Sequence, residues 1–194
     1  MSQLRPLSLG EKRTLLSIAR KSLECCVRGA PVPAPESSEL TDALCEKRGA
    51  FVTLSAGGAL RGCIGYVEPV EPLWRAVMAN AEHAALYDNR FTPVTPDELD
   101  AIHIEISAMS PLRCIEELSE IEIGTHGLMI TRDACRGLLL PQVATEYGWT
   151  CEEFLCHTCR KAGLPAHAWN DSSCRIEIFS AEVFGEDDPL LQAS

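Results

Sequence analysis

The sequence feature that most constrains this chain is a six-residue stretch, Leu60-Arg61-Gly62-Cys63-Ile64-Gly65. It lies in a short apolar run, which predicts a β-strand. Side chains alternate along a strand, so Arg61 and Cys63 are expected on the same face. Glycine weakens a strand and marks a bulge or a close approach by another backbone or a ligand. Gly62 and Gly65 therefore predict a strand with either a bulge or a close neighbour.

The same stretch places a guanidinium two residues from a thiol. A nearby positive charge stabilises the thiolate, which is the nucleophilic form of cysteine. The alternative is a buried cysteine in a glycine-kinked strand, since free cysteine is common in protein cores. The residues alone leave both interpretations of Cys63 open.

Periodicity predicts the elements around this strand. A β-rich segment, 50–55, precedes the turn signal Ala56-Gly57-Gly58, which indicates a β-hairpin that presents the motif. A helix is predicted over residues 73–87 and a strand over 102–109, where isoleucines alternate with polar residues. Capping boxes at Ser8 and Thr150 predict two more helices, which end near Gly29 and Gly163.

The pattern predicts an α/β or α+β fold with a mixed β-sheet and flanking helices. Further strands are expected over 128–131, 137–140 and 174–184, and the hairpins are too frequent for a doubly wound parallel sheet. We expect a single domain over residues 1–194. Within it, residues 28–40 form a proline-rich surface connection and residues 185–194 a flexible acidic tail.

Charge and composition exclude several classes of partner. The net charge is −11, from 17 basic and 28 acidic side chains, which argues against nucleic acid and against an anionic membrane surface. No apolar run approaches the ~18 residues of a membrane span. The N-terminal residues, 1–6, lack the apolar core of a secretory signal, so a cytoplasmic protein with reduced cysteines is expected.

Several ordered segments resemble the AMMECR domain family, whose bacterial and archaeal members include protein A of the AmmeMemoRadiSam system. Beyond the motif at Cys63, the matching segments are Asp88-Asn89-Arg90-Phe91-Thr92-Pro93, Ile104-Glu105-Ile106-Ser107, Gly124-Thr125-His126-Gly127-Leu128, Leu140-Pro141-Gln142-Val143-Ala144 and Gly148-Trp149. The resemblance implies a compact α/β body with a smaller lobe and a cleft at the motif. It implies no well-established reaction, but its name implies a Memo-like protein and a radical SAM enzyme as partners.

One set of candidate residues would carry thiol catalysis. In this hypothesis Cys63 is the nucleophile, His126 is its base, and Glu105 orients the imidazole. His126 lies in a predicted turn, where it could instead cap a backbone group. The substrate would be a small carbonyl, acyl or modified-nucleoside-like molecule.

A second set would bind a ligand or partner without catalysis. Arg61 and Arg90 would clamp a carboxylate or phosphate, because guanidinium groups suit planar oxyanions. Gln142 would line the same cleft, and the motif glycines would cradle the ligand. In this alternative the protein is an accessory to the Memo-like and radical SAM partners.

A metal site is the third possibility. Cys156-His157-Thr158-Cys159 has the CxxC spacing of metal ligands. The pair lies inside a predicted helix. The apolar residues on that side of the helix are explained more simply as a face that packs in the core. The sequence therefore predicts no metal and no cofactor.

Overall fold

A computed structural model describes residues 5–192. It divides into two compact units, the first formed by residues 5–109 with 182–192 and the second by Ser110–Ala181. Each unit is built around a four-stranded sheet with flanking helices, which confirms the α+β class. The strand pairs with a defined register are antiparallel. One domain over residues 1–194 stays a prediction.

The described residues form six α-helices and eight strands, with short 3₁₀ turns between them. The helices are α1 (Leu9–Val27), α2 (Asp42–Cys45), α3 (Leu73–Leu86), α4 (Pro141–Glu146), α5 (Cys151–Lys161) and α6 (Pro189–Gln192). The strands are β1 (Ala50–Ala56), β2 (Ala59–Tyr66), β3 (Ile102–Met109), β4 (Arg113–Cys114), β5 (Gly127–Arg132), β6 (Cys135–Leu139), β7 (Arg175–Phe179) and β8 (Ala181–Gly185). No helix within residues 5–192 is long and apolar enough to cross a membrane.

The sheet of the first unit has the strand order β2-β1-β3-β8. The predicted hairpin of β1 and β2 is confirmed, with Gly57 and Gly58 both at positive φ (58° and 78°). Two consecutive positive-φ residues fit the tight turns that match the twist of a hairpin. The alternation predicted for β3 also holds, since Ile104 and Ile106 are fully buried while Glu105 is exposed.

The core of this unit lies between one face of the sheet and helices α1 and α3. Side chains from β1 and β3 meet apolar residues of both helices in a single buried cluster. Helix α1 begins at the predicted capping box, in which the Ser8 hydroxyl accepts from the Glu11 N–H at 3.3 Å. The opposite face of the sheet carries the polar residues of the same strands, which are partly or fully exposed. We call it the open face.

Strand β2 contains a bulge and an unusually close contact at the motif. Leu54 pairs with Gly62, and the next residue of β1 pairs with Leu60, so Arg61 is the extra residue. A Cβ on Gly62 would lie 2.2 Å from the carbonyl oxygen of Ala84 in α3. The glycine therefore serves close approach by another backbone, one of the alternatives that the sequence indicated.

The sheet of the second unit has the order β4-β7-β5-β6, with α4 and α5 packed on it. Its core combines Phe154 and Leu155 of α5 with Leu128 and Ile178 of the sheet. Cys159 is fully buried in the same cluster. The CxxC pair thus lies on a helix, as predicted, with one thiol inside the core.

The last strand predicted from the sequence is wrong in its extent. Instead of one strand over 174–184, the chain breaks at Ser180, and β7 and β8 belong to different sheets. At the break, the Ser180 N–H donates to Ser110 Oγ at 2.9 Å and its carbonyl accepts from the Ser110 N–H at 2.8 Å. A continuous apolar pattern does not reveal a change of partner strand.

The segment predicted as a flexible acidic tail, 185–194, makes defined contacts over its described residues, and its flexibility stays a prediction. Glu186 accepts from the Ile104 N–H at 2.9 Å and from Arg20 Nε at 2.8 Å, while Leu191 of α6 is buried in the core of the first unit. The acidic residues that suggested a tail therefore hold the chain against β3 and α1. Residues 193–194, like 1–4, lie outside the described part of the chain.

The close contact at Gly62 gives a direct test of this packing. We expect Gly62→Ala to lower the free energy of unfolding by about 3 kcal/mol, because a Cβ would overlap a helix carbonyl and force the backbones apart. Gly10→Ala in α1 is the matched control, since the nearest atom lies 3.9 Å away. Urea denaturation measures both, and equal midpoints for Gly62→Ala and the unaltered chain would contradict the packing argument.

Candidate functional site

Three polar side chains form a row across the open face of the first unit's sheet. Thr53 in β1 is paired with Cys63 on one side and with Glu105 on the other. The Thr53 hydroxyl lies 3.3 Å from Cys63 Sγ and donates to it. Directly paired residues have Cβ atoms about 4.5–5.5 Å apart, so Glu105 is also within reach of Thr53. The row brings together two of the three predicted catalytic residues.

The backbone of Cys63 is fixed by a loop that follows α3. Strand β2 is an edge strand, and its Cys63 N–H donates to Asp88 Oδ2 at 2.9 Å. Arg90 Nη2 donates to the Cys63 carbonyl at 3.0 Å, and Arg90 grips Asp88 with contacts of 2.9 and 2.6 Å. The loop thus satisfies edge groups that would otherwise face solvent.

The ionised form of Asp88 is strongly favoured in this arrangement. Its side chain is 3% exposed, and the Arg90 guanidinium, aided by the backbone N–H groups of Cys63 and Arg90, holds the pKa of Asp88 well below its ordinary range. A buried carboxylate that accepts from both backbone and guanidinium is a rigid anchor. Cys63 is therefore presented from a fixed main chain.

The hydrogen bonds of the Arg61 side chain go to a neighbouring loop, and none is made to the Cys63 thiol. Its Nε donates to Glu98 Oε1 at 2.8 Å, and Nη1 donates to the carbonyl of Thr92 at 2.9 Å. The guanidinium lowers the pKa of Glu98 to about 2. As the bulge residue, Arg61 is directed to the 92–98 loop. That Arg61 and Arg90 clamp a ligand stays a prediction.

Two further predicted residues lie in the second unit. His126 Nδ1 accepts from the Glu122 N–H at 3.1 Å, which matches the backbone-capping alternative. Gln142 is exposed on α4. Because Cys63 and Glu105 belong to the first unit, their association with His126 and Gln142 stays a prediction.

The known proteins that this chain is similar to decide its family. Residues 16–184 match the AMMECR1 family model. The chain belongs to the AMMECR1 family. A protein of Methanothermobacter thermautotrophicus is 48% identical over 189 residues, covering 94% of this chain and 97% of that protein. A protein of Thermococcus gammatolerans is 43% identical over 185 residues, covering 90% of each chain.

A solved structure supports the same assignment. The crystal structure of uncharacterized protein PH0010 from Pyrococcus horikoshii superposes on this AMMECR1 chain with a TM-score of 0.79 at 38% sequence identity. The match covers 90% of this chain and 91% of that one. The family resemblance inferred from the motif segments is therefore confirmed.

A potential metal ligand, His167, lies beside the CxxC pair among the described side chains. Cys156 Sγ lies 3.5 Å from His167 Nδ1, while burial raises the pKa of Cys159. Within residues 5–192 of this AMMECR1 chain, no group of three or more His, Cys, Asp or Glu side chains is placed to hold a metal ion.

Sequence reasoning missed Thr53, Asp88 and Glu98 as partners of the motif. Asp88 carried a signal, because it opens one of the segments that match the AMMECR1 family. For Thr53 the only signal in the sequence was its position in the predicted hairpin. A two-residue turn without a bulge would have placed it opposite Gly62, one residue away from the thiol.

The anchor at Asp88 gives a test with a defined pH dependence. We expect Asp88→Asn to reduce stability at pH 7 by about 2 kcal/mol, the scale of a lost hydrogen bond to a charged group. Because folding lowers the pKa of Asp88, its ionisation stabilises the chain above the unfolded value of about 3.9 and loses this effect as the pH falls below it. Urea denaturation from pH 7 to 3 should show the deficit shrinking below pH ~4.

Asp100→Asn is the matched control, because Asp100 is exposed. It should change stability by no more than about 0.5 kcal/mol at either pH. A deficit for Asp88→Asn that is absent at pH 7, or that does not shrink on acidification, would contradict the anchoring role.

Proposed function

We propose that this AMMECR1 protein is a cysteine-dependent enzyme or enzyme subunit that acts on a small molecule at Cys63. The observation that carries the proposal is the row of Cys63, Thr53 and Glu105 on the open sheet face, with the Thr53 hydroxyl 3.3 Å from the thiol sulfur. Cys63 is half-buried, so part of the residue is accessible to solvent. A hydroxyl that donates to sulfur stabilises the thiolate over the thiol.

In this proposal Cys63 is the nucleophile and Glu105 transfers its proton. The Cys63 sulfur attacks the carbonyl carbon of an acyl substrate and forms a carbon–sulfur bond. Glu105, an exposed carboxylate on the other side of Thr53, receives the thiol proton through one bridging water and returns it to the leaving group. Collapse of the adduct expels that group, and water then hydrolyses the thioester and restores the thiol.

The anchor on the main chain supports this chemistry. Asp88 and Arg90 bind the N–H and the carbonyl of Cys63, so the position of the nucleophile is set before a substrate arrives. Holding a reacting group in place removes part of the entropy cost of the reaction. The glycine and the bulge beside Cys63 contribute by seating β2 on α3.

The alternative is a non-catalytic accessory protein for a Memo-like protein and a radical SAM enzyme. One observation favours it: both arginines near the motif are already engaged, Arg61 with Glu98 and Arg90 with Asp88. In this alternative the motif mainly builds a surface, and Cys63 is chemically inert. The state of the Cys63 thiol distinguishes the two functions.

The test uses p-nitrophenyl acetate as an acyl donor and iodoacetamide as an alkylating agent, with mass spectrometry of every cysteine. We expect Cys63 to be acetylated and alkylated faster than the more exposed Cys45, and to release acetate with turnover. Thr53→Val should slow both reactions at Cys63 about tenfold by removing the donor to sulfur. Glu105→Gln should slow acetylation while leaving alkylation at high pH unchanged.

Cys63→Ser should abolish turnover and keep the unfolding free energy within ~1 kcal/mol of the unaltered chain. Cys45→Ser is the control that should retain turnover. If Cys63 reacts no faster than Cys45 and Cys63→Ser keeps the same rate, the enzyme proposal is wrong. Retained binding of Cys63→Ser to the Memo-like or radical SAM protein would then support the accessory role.

A further inference from the structure

A second thiol, in the other unit, has a guanidinium as its direct neighbour. Cys114 lies on β4 and is exposed, and Arg175 Nε of β7 donates to Cys114 Sγ at 2.9 Å. Arg175 Nη2 also lies 2.7 Å from the carboxylate of Glu177, which is directly opposite Cys114 in the β4–β7 register. The three side chains thus form a compact cluster on one face of this sheet.

Within the cluster, the Arg175 guanidinium is held in direct contact with the Cys114 sulfur. Glu177 is only 6% exposed, so it holds the Arg175 guanidinium in a defined orientation toward the sulfur. The hydrogen bond to Cys114, followed by the charge of Glu177, raises the pKa of Arg175 above its ordinary value, so the cation persists. A thiolate beside a permanent cation is the reactive form in thiol–disulfide exchange.

The surroundings of Cys114 define the charge of a suitable reactant. An open cavity of about 370 Å³ is lined by Cys114, Arg113 and three glutamates, Glu116, Glu117 and Glu120. Arg113 is paired with Glu120, and no described residue pairs with the side chain of Glu116. The excess of carboxylates attracts cations and repels anions, in line with the net charge of −11.

We propose that Cys114 is a modification site that exchanges with low-molecular-weight disulfides bearing amino groups. The Cys114 thiolate attacks one sulfur of the disulfide, a new sulfur–sulfur bond forms to Cys114, and the original bond breaks. The second half leaves as a thiolate and takes up a proton from water. The disulfide is the oxidant, and its cationic amine occupies the carboxylate-lined cavity.

This proposal is independent of the chemistry at Cys63. Every residue that it uses lies within Ser110–Ala181, whereas Cys63, Thr53 and Glu105 belong to the first unit. Loss of one activity therefore leaves the other measurable on the same protein. Cys45 serves as an internal reference, because it is an exposed thiol for which no guanidinium contact is seen among residues 5–192.

The experiment compares three disulfides on the full chain at pH 7: cystamine, which is cationic, hydroxyethyl disulfide, which is neutral, and glutathione disulfide, which is anionic. Peptide mass spectrometry follows each cysteine over time. We expect Cys114 to react with cystamine at least about tenfold faster than Cys45, because Arg175 contacts the sulfur of Cys114, whereas no guanidinium contact is seen at Cys45 among residues 5–192. At Cys114 the rates should fall in the order cystamine, hydroxyethyl disulfide, glutathione disulfide.

Variants separate the two parts of the proposal. Arg175→Gln should remove the advantage of Cys114 over Cys45, while Arg175→Lys should keep part of it by retaining the charge. The double change Glu116→Gln and Glu117→Gln leaves Arg175 in place and should narrow the preference for cystamine over glutathione disulfide.

Two results would overturn the proposal. Equal rates at Cys114 and Cys45 in the unaltered chain, or an unchanged Cys114 rate in a folded Arg175→Gln variant, would show that the guanidinium does not activate the thiol. A faster reaction with glutathione disulfide than with cystamine would overturn the cationic class of the reactant. The first comparison needs no variant, so a failure of Arg175→Gln to fold does not prevent a decision.

Discussion

The close approach of strand β2 to helix α3 determines where the motif can act. At Gly62 the strand backbone comes so near to Ala84 that a Cβ would lie 2.2 Å from its carbonyl oxygen. Helix α3 then ends at Leu86, and the chain reaches Asp88 beside the free edge of β2. One steric requirement thus places a carboxylate where it binds the Cys63 N–H.

Most charged residues near the motif consequently have a structural role. Arg90 and Asp88 close the strand edge, and Arg61 fastens the following loop through Glu98. Ion pairs of this kind fix geometry more than they add stability where they face solvent. The groups that we propose to react lie on the open face, where Cys63 and Glu105 flank Thr53.

The sequence predicted the elements of this face and missed its register. Periodicity and apolar composition located β1, β2 and β3 within one or two residues, and one face of β1 and of β3 is buried. The bulge at Arg61 was not predictable in position, since a glycine indicates a bulge without saying which residue is extra. That single residue moved the thiol opposite Thr53 and turned Arg61 to another loop. Local pattern likewise gave no sign that the chain changes sheets at Ser180.

The two thiols show why proximity along a strand is weaker guidance than pairing between strands. Arg61 is two residues from Cys63 in the sequence, yet its guanidinium binds Glu98. Arg175 is far from Cys114 in the sequence, but the antiparallel pairing of β4 with β7 brings its Nε to 2.9 Å from the sulfur. In a sheet, the register between strands decides which groups of the neighbouring strand a long side chain can reach. The arrangement that the motif suggested for Cys63, a cation beside a thiol, is therefore found at Cys114, where no sequence motif marks it.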